Sequence, residues 1–177
     1  IVTHSEYDGY GRQLKEYLPL AKETAGQLQT GAMATEINSY YQAKYPTDFS
    51  GVALPEVNAY SEKVVEASPL GRVYEQAAPG KDWKKGTSYS AKGYTNNSHT
   101  IKFEYDTNHG SEVAQYYVSL SMVNNTYTPT LHRATANNGN YLAKQLYKTL
   151  TKDENWKPSD GVNHTLSLIH ISEPTRH

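Results

Sequence analysis

The chain opens Ile1-Val-Thr-His4 and Ser5-Glu-Tyr-Asp-Gly-Tyr-Gly11, passes through Leu14-Lys-Glu16, and reaches Gly31-Ala-Met-Ala-Thr-Glu-Ile37. The short β-branched run Ile1–Thr3 reads as a strand that ends in His4. Tyr7–Gly11 is a turn signature, because Asp-Gly and Tyr-Gly supply residues tolerant of positive φ. Leu14, Leu18, Ala21, Ala25 and Leu28 then fall at helical spacing. Pro19 fits the first turn of that helix, where a missing N–H costs nothing, and Glu16 stands at its N-terminus, where the dipole favours a carboxylate. Gly31 closes the helix. Across Ala32–Tyr41, Met33, Thr35 and Ile37 alternate as in a strand, although Met33, Ile37, Tyr40 and Tyr41 also suit a helix. After a helix and a glycine stop, a strand completes a βαβ unit. The stretch therefore predicts an α/β fold: a mixed sheet flanked by helices in a single domain. It places His4 and Glu16 at the end of the sheet where such proteins keep their chemistry.

Outward from there, Tyr45–Gly51 reads as loop, and Pro55 opens a predicted helix with Val57, Tyr60, Val64 and Val65 on one side. Pro69 interrupts that helix, and Leu70–Ala77 extends it by two turns. Ala78–Gly86 is a polar loop around Trp83. Hairpin-like runs follow over Thr87–Thr95 and His99–Thr107, the second with Ile101, Phe103 and Tyr105 alternating against polar residues at a period of two. Val113–Val123 repeats that alternation. Asn124–Thr135 reads as polar loop, Asn140–Leu150 as a helix with Leu142, Leu146 and Leu150 in line, and Thr151–Thr165 as loop. No internal repeat stands out.

A length of 177 residues suits one domain with a moderate core. Hydrophobic residues make up 37% and the mean hydropathy is -0.75, so the core must be economical. Sixteen tyrosines supply much of it. Each buries a ring while keeping a hydroxyl at water, which favours a hydrogen-bonding, sugar-friendly surface. Seventeen basic and 18 acidic residues leave a net charge of -1 with no basic stripe, which argues against nucleic acid as a partner. No apolar run is long enough to span a bilayer. The absence of cysteine removes disulfides, thiolate zinc sites and thiol nucleophiles together.

Catalytic motifs are scarce. Gly86-Thr-Ser-Tyr-Ser90 lacks the second glycine of a nucleophile elbow, and Glu104 and Asp106 form only a generic carboxylate pair. A zinc site made from separate strand ends remains, since neutral imidazole and carboxylate suit Zn²⁺ and three protein ligands leave a position for water. His4 and Glu16 are its first two candidates, with the third open among His99, His109 and His132.

The order of these pieces resembles the zinc-dependent N-acetylmuramoyl-L-alanine amidases of bacterial cell walls. In that family a strand ends in a ligand His, a ligand Glu precedes the first helix, and the helix is followed by Gly-Ala. Ile1–His4, Leu14–Glu16 and Gly31-Ala32 are similar. Leu70-Gly-Arg72 echoes a Leu-x-x-Arg stretch, and His109-Gly-Ser-Glu112 with Tyr116-Tyr117 resembles the segment around the last ligand. Leu142–Leu146 and Gly161-Val162 resemble the closing helix and turn. The resemblance implies a metal-dependent peptidoglycan amide hydrolase, outside the cell or in its wall, with His4, Glu16 and His109 on zinc. The family's catalytic Glu would fall beyond Thr165. The alternative is a non-catalytic domain of a bacterial exoprotein that binds a glycan or a protein. Peptidoglycan or another cell-surface glycan is the expected partner.

The last stretch, Leu166-Ser-Leu-Ile-His-Ile-Ser-Glu-Pro-Thr-Arg176, resembles the translation of a transposon-end sequencing adapter. Read that way, the amidase-like domain is residues 1–165, truncated at its C-terminus, and 166–177 is a non-native tail in which His170 and His177 have no role. Alternating Leu166, Leu168 and neighbouring isoleucines would equally make a strand.

Overall fold

Residues 60–77, expected as helix, are a β-hairpin, and that exchange decides the architecture. In the computed structural model, which describes residues 1–23, 31–86, 89–90, 93–94 and 98–170, the fold is mostly β. The strands are β1 (Ser5–Tyr7), β2 (Gln13–Tyr17), β3 (Tyr60–Val65), β4 (Val73–Ala77), β5 (Tyr89–Ser90), β6 (Gly93–Tyr94), β7 (Ile101–Thr107), β8 (Tyr116–Val123), β9 (Thr126–Arg133), β10 (Tyr147–Lys152) and β11 (Thr165–His170). The one α-helix among the described residues is α1 (Met33–Lys44). Seven strands form a sheet in the order β1-β2-β3-β4-β7-β10-β11, and β5-β6 and β8-β9 are separate two-stranded ribbons. Pairing from β1 through β4 to β7 is antiparallel throughout. The helix-flanked α/β expectation is therefore corrected to a mostly β, largely antiparallel fold.

Local chemistry explains each exchange. Pro55 seeds only a short 3₁₀ turn, Leu54–Glu56, and Asn58 at φ 52° turns the chain away from helix before Tyr60. The β-branched and aromatic residues of β3 and β4 then pair across a turn in which Gly71 adopts φ 65°. Leu18 and Leu20, assigned above to a helix, are extended: Leu18 N–H donates to the Ala59 carbonyl, and Leu20 exchanges hydrogen bonds with Val2. The remainder of that expected helix, residues 24–30, lies outside the described residues. The true helix is α1, where Ala, Glu, Gln and Lys favour helix and Met33 and Ile37 share one face. Over Asn140–Leu150 the helical line of leucines fails at Lys144, which has φ 66°; Leu146 is buried while Leu142 is exposed. The polar loop expected at Asn124–Thr135 is in fact the turn and second strand of the β8–β9 hairpin. The strands expected over His99–Thr107 and Val113–Val123 are present as β7 and β8.

Two hairpin turns share a Gly-Arg step at an offset of 60 residues. Asp8-Gly-Tyr-Gly11-Arg12 leads into β2, and Ser68-Pro-Leu-Gly71-Arg72 leads into β4. In both turns the side-chain oxygen of the first residue accepts the N–H two positions on (Tyr10 to Asp8, 2.9 Å; Leu70 to Ser68, 3.2 Å). The glycine N–H then returns to the first residue's carbonyl, at 3.0 and 3.2 Å. Each arginine clamps a carboxylate of its own turn, Arg12 on Asp8 at 2.7 Å and Arg72 on Glu66 at 2.8 Å. Arg12 also donates across to the second turn, to the carbonyls of Glu66 and Ser68 at 3.3 and 3.0 Å.

The chain divides into two compact units, one of Ile1–Glu104 with Thr151–Thr165, the other of Tyr105–Leu150 with the described residues from Leu166 onward. In the first, Met33 and Ile37 of α1 form the hydrophobic core with Tyr17, Leu20, Val57 and Ala59. In the second, buried Asn108 pins the 142–146 loop, donating to the Leu142 carbonyl at 3.0 Å and accepting from the Leu146 N–H at 2.8 Å.

Candidate functional site

The strand ladder separates the first two expected ligands. His4 precedes β1, with its ring 4.8 Å from that of Tyr17 and Nε2 3.5 Å from Glu6 Oε1. Glu6 in turn accepts the Tyr17 hydroxyl at 2.6 Å and the Lys15 ammonium at 3.2 Å. The Tyr17 hydrogen bond, with help from Lys15 and His4, holds the Glu6 carboxyl below its ordinary range against the opposing effect of burial. Burial and the Glu6 charge push the Tyr17 hydroxyl up. Glu16 is the neighbour of Tyr17 on β2 and pairs between Ser5 and Ser61. Alternation along the strand turns its exposed side chain to the opposite face from Tyr17, Glu6 and His4. His109 belongs to the second unit, where its backbone N–H donates to Glu112 Oε2 at 2.9 Å. Of the other two histidines considered, His132 bonds Ser119 at 2.7 Å in the β8–β9 hairpin, and His99 stands beside Trp83. Among the described residues no three His, Asp or Glu side chains gather as a metal-holding group.

A different cluster has the features of a ligand cleft. The 78–86 loop presents Trp83, 42% exposed, with its ring centroid 5.5 Å from that of His99. Beneath it lies a cavity of about 250 Å³ walled by Ser61, Gln76, Ala77, Ala78, Pro79, Ile101 and Glu154. Strand alternation puts Ser61 of β3 and Gln76 of β4 on the same sheet face, away from buried Glu62 and Glu75. Among the described residues, no hydrogen bond or ion pair engages the side chains of Ser61, Gln76 or Glu154, so their polar groups are available to a ligand.

The loop that presents Trp83 is firmly held. Gly80 at φ 112° donates its N–H to the Asn58 carbonyl at 2.8 Å, and the Ala78 N–H donates to the Trp83 carbonyl at 3.2 Å. Lys84 pairs with Glu56, and Lys85 with Glu62 at 2.6 Å. Pro79 also borders a second cavity of about 300 Å³, lined by Leu18, Tyr41, Tyr45, Asp48 and Phe49. There Tyr45, 43% exposed, stacks on Tyr41 at 6.3 Å, and Tyr41 is fixed by a 2.8 Å hydrogen bond from its hydroxyl to the Pro19 carbonyl. Both cavities belong to the first unit, so two aromatic platforms flank one proline.

Residues 1–98 match a family described as a domain of unknown function, DUF6443. The chain belongs to the DUF6443 family. The DUF6443 match includes both Gly-Arg hairpins, α1, Trp83 and Tyr45, and ends before His99, Ile101 and Glu154 complete the first cleft. No curated protein and no solved structure matches the chain. Sequence reading missed the DUF6443 cleft because Ser61 and Gln76 were assigned to a helix. One signal was present: a tryptophan in a loop otherwise made of Ala, Pro, Gly, Lys and Asp, where burial cannot be its reason for being there.

Proposed function

We propose that this chain is a non-catalytic domain of an exported bacterial protein that binds a cell-surface glycan along the Trp83 and Tyr45 clefts. The observation that carries the reading is an exposed, rigidly held indole over a cavity where Ser61, Gln76 and Glu154 have no side-chain hydrogen bond or ion pair among the described residues. The C–H face of a pyranose stacks on an aromatic plane, while its hydroxyls need donors and acceptors not already used within the protein. Ser61, Gln76 and Glu154 meet that need. Two platforms on either side of Pro79 suit an extended saccharide better than a single sugar. The loop's hydrogen bonds and ion pairs lower the ordering cost of binding. A zinc amidase draws less support, because its α/β frame is replaced by antiparallel β structure and His4 and Glu16 do not share a rim. No helix among the described residues is long and apolar enough to cross a membrane.

Titration calorimetry with soluble peptidoglycan fragments and other cell-wall oligosaccharides tests the proposal. Trp83→Ala is expected to weaken binding at least about tenfold, equivalent to about 1.4 kcal/mol, with unchanged far-UV circular dichroism. Equal affinity in the wild type and in Trp83→Ala would refute this site, and no binding at millimolar saccharide would refute the ligand class.

A further inference from the structure

The β8–β9 hairpin carries its apolar residues on an open face. Its register pairs Val118 with Leu131, Leu120 with Pro129 and Met122 with Tyr127, so these six side chains share one side. The five other than Pro129 are 56% to 67% exposed. The opposite side is polar: Ser119 and Ser121 lie across from Thr130 and Thr128, and Tyr117 stacks on His132 at 5.1 Å. The turn is Asn124-Asn125, both at positive φ (51° and 59°), the two-residue geometry that matches strand twist. An isolated two-stranded ribbon is marginally stable in water unless something packs on it.

We propose that this face is a self-association surface whose occupant is a second copy of the same hairpin. Three observations favour a second copy. Between Glu112 and Lys144 the only Lys, Arg, Asp or Glu is Arg133, at the base of the hairpin, so two apposed faces meet no like charge at their centre. The exposed side chains of the face amount to on the order of 600 Å² per copy, so two copies would bury on the order of 1,200 Å², at the threshold of stable interfaces. Pro129 removes a backbone donor on β9, which disfavours sheet extension along that edge of the ribbon, while the apolar face suits face-to-face packing, the self-complementary arrangement of a two-fold dimer.

Light scattering coupled to size exclusion, on the full chain from 10 to 200 µM, reads the outcome. The expected mass rises towards twice 19.8 kDa for the wild type. It stays at the monomer value for Leu120→Lys/Leu131→Lys, and still rises for Ser119→Lys/Ser121→Lys on the polar face. Because the chain has no cysteine, Met122→Cys gives a single thiol that should cross-link to its equivalent in a second copy, a readout that does not depend on the lysine variant folding. A wild type that is monomeric throughout, with no cross-link, overturns the proposal. So does a dimer that survives the Leu120/Leu131 change, or a hairpin that instead sediments with phosphatidylcholine vesicles as a monomer.

Discussion

In β3 the acid Glu62 is 8% exposed, whereas in β8 Leu120 is 67% exposed. Hydropathy alone would reverse those two positions. The difference lies in what stands on either side of each strand. β3 runs between β2 and β4, so Glu62 has Lys15 directly across the ladder and Lys85 at 2.6 Å. Among the described strands β8 pairs only with β9, and its Val118, Leu120 and Met122 stay 56% to 67% exposed. The same inversion continues on the strand pair β4–β7, where Glu75 and Lys102 face each other at 1% and 0% exposure. Glu75 Oε1 accepts from Thr100, Ser98 and the Gly86 N–H, and Lys102 donates to the carbonyls of Ser98 and Thr100. Burial pushes the Lys102 ammonium down, and the Glu75 charge offsets part of that push. Charged groups can thus be interior when the sheet supplies partners, and apolar ones can be exterior when no layer covers them.

The sharpest way to break this contrast is to truncate one aliphatic residue in each region. Ile37→Ala, on the buried face of α1, should cost about 2–5 kcal/mol, the range for a cavity in a packed interior. Leu120→Ala, measured by urea unfolding at a concentration where the chain is monomeric, should cost less than about 1 kcal/mol. Comparable losses would mean that the hairpin face is covered within the monomer. An effect smaller than that of Ile37→Ala is expected at Arg12, whose donations to the Glu66 and Ser68 carbonyls tie one turn to the next. Arg12→Ala should cost about 1 kcal/mol, and Arg12→Lys should recover little of it, because an ammonium lacks the planar fork.

The smallest effect is a pH dependence. The Arg72 guanidinium, with Ser68 and the Arg72 N–H, holds the Glu66 carboxyl down from the ordinary 4.5 to about 2. A carboxyl lowered in the folded state contributes fully above its unfolded value, and that contribution is lost as pH falls through the folded one. The stability difference between the wild type and Glu66→Gln should therefore narrow between pH 4.5 and 2. A constant difference across that window would show that the clamp does not titrate with folding.

The strands β7 and β8 were legible because strict alternation over seven and eight residues admits one reading. The segments 55–77 and 140–150 were not, since helical spacing of apolar residues also arises in strands that are half-buried on both sides. What excluded helix there was backbone at Asn58, Gly71 and Lys144, all at positive φ, and a lone Lys144 gives no warning of that in sequence. The 60-residue offset between Gly11-Arg12 and Gly71-Arg72 was visible in principle, but only the paired turns give it meaning. For the site, the strand expected over Ile1–Thr3 is only an isolated Val2–Leu20 bridge, and His4 precedes β1 rather than ending a strand. Its partners Glu6 and Tyr17 arise from pairing across a hairpin that a helical reading of Leu14–Leu28 excludes. The Trp83 cleft needed both β3 and β4 before Ser61 and Gln76 could share a wall.

The bonds from Arg12 to the second turn have a kinetic consequence. A hairpin at the edge of a sheet ordinarily frays on its own, and its amides exchange with solvent much faster than those of the strands behind it. Here the guanidinium that leaves when β1–β2 opens also leaves the carbonyls of Glu66 and Ser68, beside the N–H groups of Gly71 and Arg72 that close the next turn. The two turns are therefore wired into one opening unit, and the edge of the sheet should protect its deuterium-labelled amides as a pair of hairpins rather than strand by strand.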